Sequence, residues 1–97
     1  MSYRLTPNSQ SDIEAIGDYF ADRNPYAAVK LLNGFVRRWE FLATQPYCGM
    51  PRDDILPNVR HLVMGGYLAF YRVDGKDVVI LRVLHGRRNI TADDIPA

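Results

Sequence analysis

The apolar residues of this chain change their period once, and that change sets the fold class. Ala28, Leu32, Phe35, Trp39 and Leu42 recur at spacings of 4, 3, 4 and 3, one face of a long α-helix. Leu31, Val36 and Phe41 widen the stripe. Beyond Val59 the period shortens to that of strands, with β-branched and aromatic runs broken at Gly65-Gly66 and Asp74-Gly75. Such pairs close tight hairpins. Helices first and strands afterwards, without alternation, predict an α+β arrangement rather than a parallel α/β one. The 97 residues suffice for one domain, 1–97, with one modest core. A dinucleotide-binding sheet or a (β/α)₈ barrel would not fit.

The elements follow from local signals. Tyr3-Arg4-Leu5-Thr6 alternates and predicts a short first strand, stopped by Pro7-Asn8-Ser9. Asn8, Ser9 or Ser11 is expected to cap the next helix, with Asp12 and Glu14 near its positive end. Ile13, Ile16 and Phe20 form its apolar stripe, and Asn24-Pro25 ends it. The second helix runs from about Pro25 to Gln45, so the two make an αα-hairpin with a very short turn. Residues 46–58 hold three prolines and a glycine and predict a loop.

Three strands complete the chain: Val59 to Met64, Tyr67 to Val73, and about Lys76 to Leu84. A two-residue turn at Asp74-Gly75 sets Arg72 opposite Asp77. One face then holds Leu68, Phe70, Val79, Leu81 and Val83, the other Tyr67, Ala69, Tyr71, Val78, Ile80 and Leu84. The expected fold is an N-terminal strand and an αα-hairpin packed on a small antiparallel sheet, four strands once the first joins the meander. The hairpin can cover only one face. The second is expected to bind a protein partner, unless the 46–58 loop and the C-terminal tail cover it.

Charge and cysteine usage exclude several classes. Twelve Lys plus Arg stand against eleven Asp plus Glu, so no chain-wide basic field for nucleic acid exists. Residues 60–97 are mildly basic, with six cations and four carboxylates. Cys48 is the one cysteine, which precludes an internal disulfide and a cysteine zinc site and suits a reducing cytoplasm. The N-terminus carries no apolar leader and no run approaches the ~20 residues of a membrane span, so a soluble cytoplasmic protein is expected.

Catalytic constellations are sparse. His61 and His85 are the only histidines, and no nucleophile elbow or phosphate loop occurs. No metal-ligand spacing and no cofactor motif is present, so neither is expected. Asp53-Asp54 and Asp93-Asp94 sit in polar segments and read as caps or turn formers. The dense stretch is Arg82-Val83-Leu84-His85-Gly86-Arg87-Arg88-Asn89, where a strand ends at a glycine and two arginines project. They can grip acidic groups or phosphates, or simply solubilise the strand exit.

The stretch Gly66-Tyr67-Leu68-Ala69-Phe70-Tyr71-Arg72-Val73, then Ile80-Leu81-Arg82-Val83-Leu84-His85-Gly86-Arg87-Arg88, resembles the ParE branch of the RelE/ParE toxin superfamily. The opening Tyr3-Arg4-Leu5-Thr6-Pro7 and Asp12-Ile13 with Ile16 and Tyr19 are similar too, so the resemblance spans essentially the whole chain. It implies the toxin of a type II toxin–antitoxin pair that inhibits DNA gyrase by protein contact and is neutralised by a ParD-like antitoxin. The alternative it carries is a RelE-like ribosome-dependent mRNA endonuclease; a third is an antitoxin-bound protein without toxicity. RelE-like proteins usually have Arg where this chain has Leu68, and often a late Tyr where it has Thr91 to Asp94. Arg88 alone matches, so the catalytic set is incomplete and no catalytic residue is expected. His85 has a suitable ordinary pKa but belongs to the ParE-like signature. Arg82, His85, Arg87 and Arg88 are the expected target-binding residues, with a salt bridge to Asp18 or Asp22 as the alternative for Arg82. Sequence-specific nucleic-acid binding is not expected.

Overall fold

A computed structural model describes residues 1–95. Strand β1 (Ser2–Leu5) leads into helices α1 (Pro7–Arg23) and α2 (Pro25–Thr44). A two-residue strand β2 (Met50–Pro51) precedes the meander β3 (Arg60–Met64), β4 (Tyr67–Asp74) and β5 (Asp77–His85), and a 3₁₀ turn spans Ala92–Asp94. The sheet order is β1-β5-β4-β3-β2. The α+β class holds. The sheet has five strands rather than four and is mixed, because β1 lies parallel to β5. Ser2 N–H donates to the Lys76 carbonyl (3.2 Å) and Thr6 N–H to that of Ile80 (3.1 Å), which makes β5 an interior strand.

Helix α1 begins earlier than its polar residues suggested. Thr6 is the N-cap, its hydroxyl accepting from Ser9 N–H at 3.1 Å, and Pro7 opens the first turn. Proline at that position loses no hydrogen bond, so Pro7 starts the helix instead of merely ending the strand. The hydroxyl also reaches the Leu81 carbonyl on β5 (3.0 Å), tying the cap to the sheet. Asn24 alone joins the helices. Its N–H closes α1 on the Phe20 carbonyl (2.7 Å), and its side chain caps α2 at Ala27 N–H (3.2 Å). Buried Gly17 leaves room for Leu32 of α2.

The register of β4 and β5 departs from the sequence reading in two places. Asp74 faces Asp77 across the turn, and Arg72 faces Val79. Gly75, at φ 61°, therefore sits at a corner shared with Lys76, in a conformation glycine adopts without strain. The facing carboxylates are offset by Arg4 of β1, 3.5 Å from Asp74 and 3.6 Å from Asp77. Farther along, Phe70 pairs with Arg82 but Tyr71 with Ile80, so Leu81 is the extra residue of a β-bulge. The bulge shifts everything after it to the opposite face. Val83 joins Val78 and Ile80 beneath the helices, while Leu84 joins Val79 and Leu81 on the outer face, reversing the strict alternation expected for both.

Two clusters fill the interior. The larger lies between hairpin and sheet, where Phe35, Trp39 and Leu42 meet Met64, Ala69, Tyr71 and Ile80. The second lies on the outer face, around Phe70, Val79, Leu81 and Leu84. Val59, Ile55 and Leu56 cover it from the loop, and Ile90 and Ile95 from the C-terminal segment. That corrects the expectation that a partner must cover the outer face: Phe70 and Val79 are fully buried by the chain itself. Proline-rich loops follow the surface and can lay apolar side chains on it, which periodicity does not reveal.

Gly49 fixes the start of that loop. Its N–H donates to the buried Tyr71 hydroxyl (2.8 Å), and Arg60 donates to the Gly49 and Tyr47 carbonyls (2.8 and 3.1 Å). A side chain at Gly49 would collide with the Tyr71 hydroxyl and lie 2.7 Å from the His61 carbonyl. Burial pushes the Tyr71 hydroxyl above its ordinary pKa.

Candidate functional site

Strand β5 ends in a compact turn. Gly86 N–H donates to the Gly66 carbonyl (2.8 Å), which anchors the turn on the β3–β4 hairpin, and Arg88 N–H donates to the His85 carbonyl (3.1 Å). His85 is exposed. Its ring packs edge-on against Tyr67, 5.6 Å between centroids, and its Nδ1 accepts from Arg87 N–H at 3.2 Å. The Arg87 side chain is exposed and makes no ion pair among the described residues. Arg88 projects half-exposed but reaches back to the Asp94 carboxylate. The Thr91 N–H beside that carboxylate, followed by the Arg88 charge, holds Asp94 below the ordinary carboxylate pKa. His85, Arg87 and Arg88 therefore share one surface at the sheet's end.

Arg82 does not join them. It points toward α1, where its Nε and Nη2 donate to both oxygens of Asp12 at 2.7 and 3.0 Å. Its Nη1 donates to the Asp94 carbonyl (2.7 Å), and Val83 N–H donates to the same Asp12 carboxylate (3.0 Å). The Asp12 carboxylate raises the Arg82 pKa further. Asp12, rather than Asp18 or Asp22, is thus the helix acid, because the bulge at Leu81 aims Arg82 at the first turns of α1. Each of its three nitrogens donates within the fold, so Arg82 stands apart from the exposed trio. Arg82 joins α1, β5 and the C-terminal segment.

His61 is separate from this surface. Arg52 donates from Nη1 to its Nδ1 at 3.0 Å and binds Asp54 with its other edge at 3.0 Å. Arginine can only donate, so the ring is neutral with its proton on Nε2. Burial, then the Arg52 charge, pushes the His61 pKa below its ordinary 6.5. Leu68 is half-buried against the outer cluster, and the late segment offers Thr91 and Asp94 to each other rather than a phenol to a substrate. No group of three or more His, Cys, Asp or Glu side chains converges to hold a metal ion among the described residues.

Two surface grooves escaped the periodicity argument, which treated the α2 stripe as core. One, about 430 Å³, lies between the hairpin and the tip of β3, over Phe20, Leu31, Phe35 and Met64. The other, about 520 Å³, lies between the hairpin and the β1 edge, over Leu5, Ile13, Ala28 and Leu32. The signal available in the sequence was the width of the stripe. Leu31 and Leu32 sit side by side on α2, so a single core contact cannot absorb both faces.

The chain matches the family model described as the ParE toxin of the type II toxin–antitoxin system parDE, over residues 3–90. It is 41% identical to Toxin ParE3 of Caulobacter vibrioides over 51 residues, about half the length of each protein (53% and 51%). Among solved structures, it is similar to the chromosomal ParDE system of P. aeruginosa, with a TM-score of 0.75 and 29% identity. That match covers 88% of this chain and 95% of the other. The RelBE2 toxin–antitoxin complex of Mycobacterium tuberculosis gives 0.58 at 28% identity, covering 87% and 95%. No helix among the described residues is long and apolar enough to cross a membrane.

Proposed function

The chain belongs to the ParE toxin family of type II toxin–antitoxin systems, and on that premise we propose that it inhibits DNA gyrase by protein contact until a ParD-like antitoxin neutralises it. The observation that carries this reading is the state of the basic residues at the end of β5. Only Arg87, Arg88 and His85 face outward there, and Arg82 is consumed by Asp12 and the Asp94 carbonyl. Cleaving a phosphodiester bond requires charge stabilisation and proton transfer in one place. Half-buried Leu68 occupies the position where RelE-like proteins usually carry Arg, which supports binding over nuclease chemistry. The exposed arginines suit carboxylates of a protein or phosphates of its bound DNA. The antitoxin's place is the helical hairpin, whose grooves offer apolar surface to a segment that folds on binding. The setting is the cytoplasm, where gyrase works.

Inducing the chain in bacteria without its antitoxin tests the reading. DNA-damage signalling with intact messenger RNA is expected. Ribosome-dependent cleavage of messenger RNA would favour the nuclease alternative instead.

A further inference from the structure

The grooves flanking the hairpin are both apolar at the floor but opposite in charge at the rim. Lys30 and Arg38 border the groove over Met64, both exposed and without ion-pair partners among the described residues. They stand two turns apart on α2, about 12 Å along its axis. Gly34 lies between them, and a Cβ there would meet nothing within 4 Å, so the groove is open at its middle. Glu14 and Asp18 border the groove over Leu5, one turn apart on α1 and also exposed without ion-pair partners among the described residues. Both grooves draw on α1 and on α2, Phe20 and Leu31 lining the first and Ile13 and Leu32 the second.

We propose that one antitoxin chain fills both grooves, with Glu or Asp flanking the apolar side chains it lays over Met64, and Lys or Arg flanking those it lays over Leu5. The proposal rests on the reading that the hairpin is the antitoxin's docking surface, and it names the chemistry that selects the partner. An antitoxin of the reverse charge order would set like charges together at both rims. Exposed rim charges add little to affinity singly, but like-charge contact at four positions rejects a wrong partner. A nucleic acid is a poor occupant, because apolar floors offer phosphates nothing and one rim repels them.

Two synthetic amphipathic peptides with identical leucine faces, one flanked by Glu and one by Lys, are the probes. Amide shifts of the full chain in solution report where each binds. The Glu peptide is expected to shift Lys30, Gly34 and Gly65, and the Lys peptide Gln10, Glu14 and Gly17. Lys30→Glu with Arg38→Glu weakens the Glu peptide about tenfold and leaves the Lys peptide within about twofold. Gly34→Leu, at a position where the added Cβ meets nothing within 4 Å, sets a side chain in the first groove and blocks the Glu peptide alone. Equal binding of both peptides to either groove, indifference to charge reversal, or no binding would overturn the proposal. Co-producing the two peptides as one linked chain separates the underlying reading. Relief of growth arrest supports the hairpin as the neutralising surface. Charge-selective binding without relief overturns that surface while the charge selectivity itself stands.

Discussion

Replacing Asp12 with alanine removes the acceptor of three hydrogen bonds at once. Arg82 loses contacts of 2.7 and 3.0 Å, and Val83 N–H loses one of 3.0 Å. Arg82 keeps only the Asp94 carbonyl, and the amide in β5 is left without a partner. Breaking a fully buried pair by removing one member costs about 3–5 kcal/mol. Here the Arg82 and Asp12 side chains retain 20% and 14% of their surface, so water softens the loss. The expected cost is about 2–4 kcal/mol. For a domain of this size that lowers the melting temperature by roughly 10–25 °C, measurable by circular dichroism. Arg82→Ala should cost a similar amount, and the double variant clearly less than the sum. Asp18→Ala and Asp22→Ala, on exposed parts of α1, should stay within about 0.5 kcal/mol of wild type. If Asp12→Ala melts within about 3 °C of wild type, Arg82 is not the fold's internal clamp. It would then be available to a target after all.

Further consequences can be checked in the same way. Gly49→Ala drives a methyl group into Tyr71 and should cost about 1–3 kcal/mol in chemical denaturation, and Tyr71→Phe, which strands the Gly49 amide, a similar amount. His61 binds its proton more weakly folded than unfolded, so its contribution to stability is intact above pH 6.5 and is lost as pH falls below that toward the lowered folded value. His61→Gln should flatten the urea midpoint over that interval, and an equally steep profile in the variant would assign the slope elsewhere. Arg87→Ala with Arg88→Ala should keep the fold and antitoxin binding, since neither side chain is buried, but reduce growth inhibition. Loss of antitoxin binding instead would place the pair in the neutralising interface.

The helices and the strand content were legible because each leaves a period. The α2 seam packs against the sheet at Phe35, Trp39 and Leu42 as its spacing requires, and Asn24-Pro25 does separate the helices. What the sequence hid was non-local. The bulge at Leu81 leaves no compositional mark, yet it decides that Val83 faces the helices and that Arg82 reaches Asp12. Strict alternation therefore misplaced Val83 and Leu84, and closeness in sequence grouped Arg82 with the strand-exit cations. Loop residues Ile55 and Leu56 and the late Ile90 and Ile95 have no periodic neighbours, so their role in covering Phe70 and Val79 was open. The exposed trio His85, Arg87 and Arg88 was readable because Gly86 ends the strand pattern beside them. The rim charges on the hairpin were readable singly but not as two sets, because that division depends on how α1 packs on α2.

Supercoiling by purified gyrase in the presence of the purified chain tests the central claim most directly. The account predicts that wild type inhibits the reaction without metal or cofactor added for the chain. It also predicts that the Arg87→Ala, Arg88→Ala variant inhibits at least tenfold less and that charge screening by added salt weakens both. Full supercoiling at saturating wild-type chain, with cleavage of messenger RNA on translating ribosomes, would contradict it.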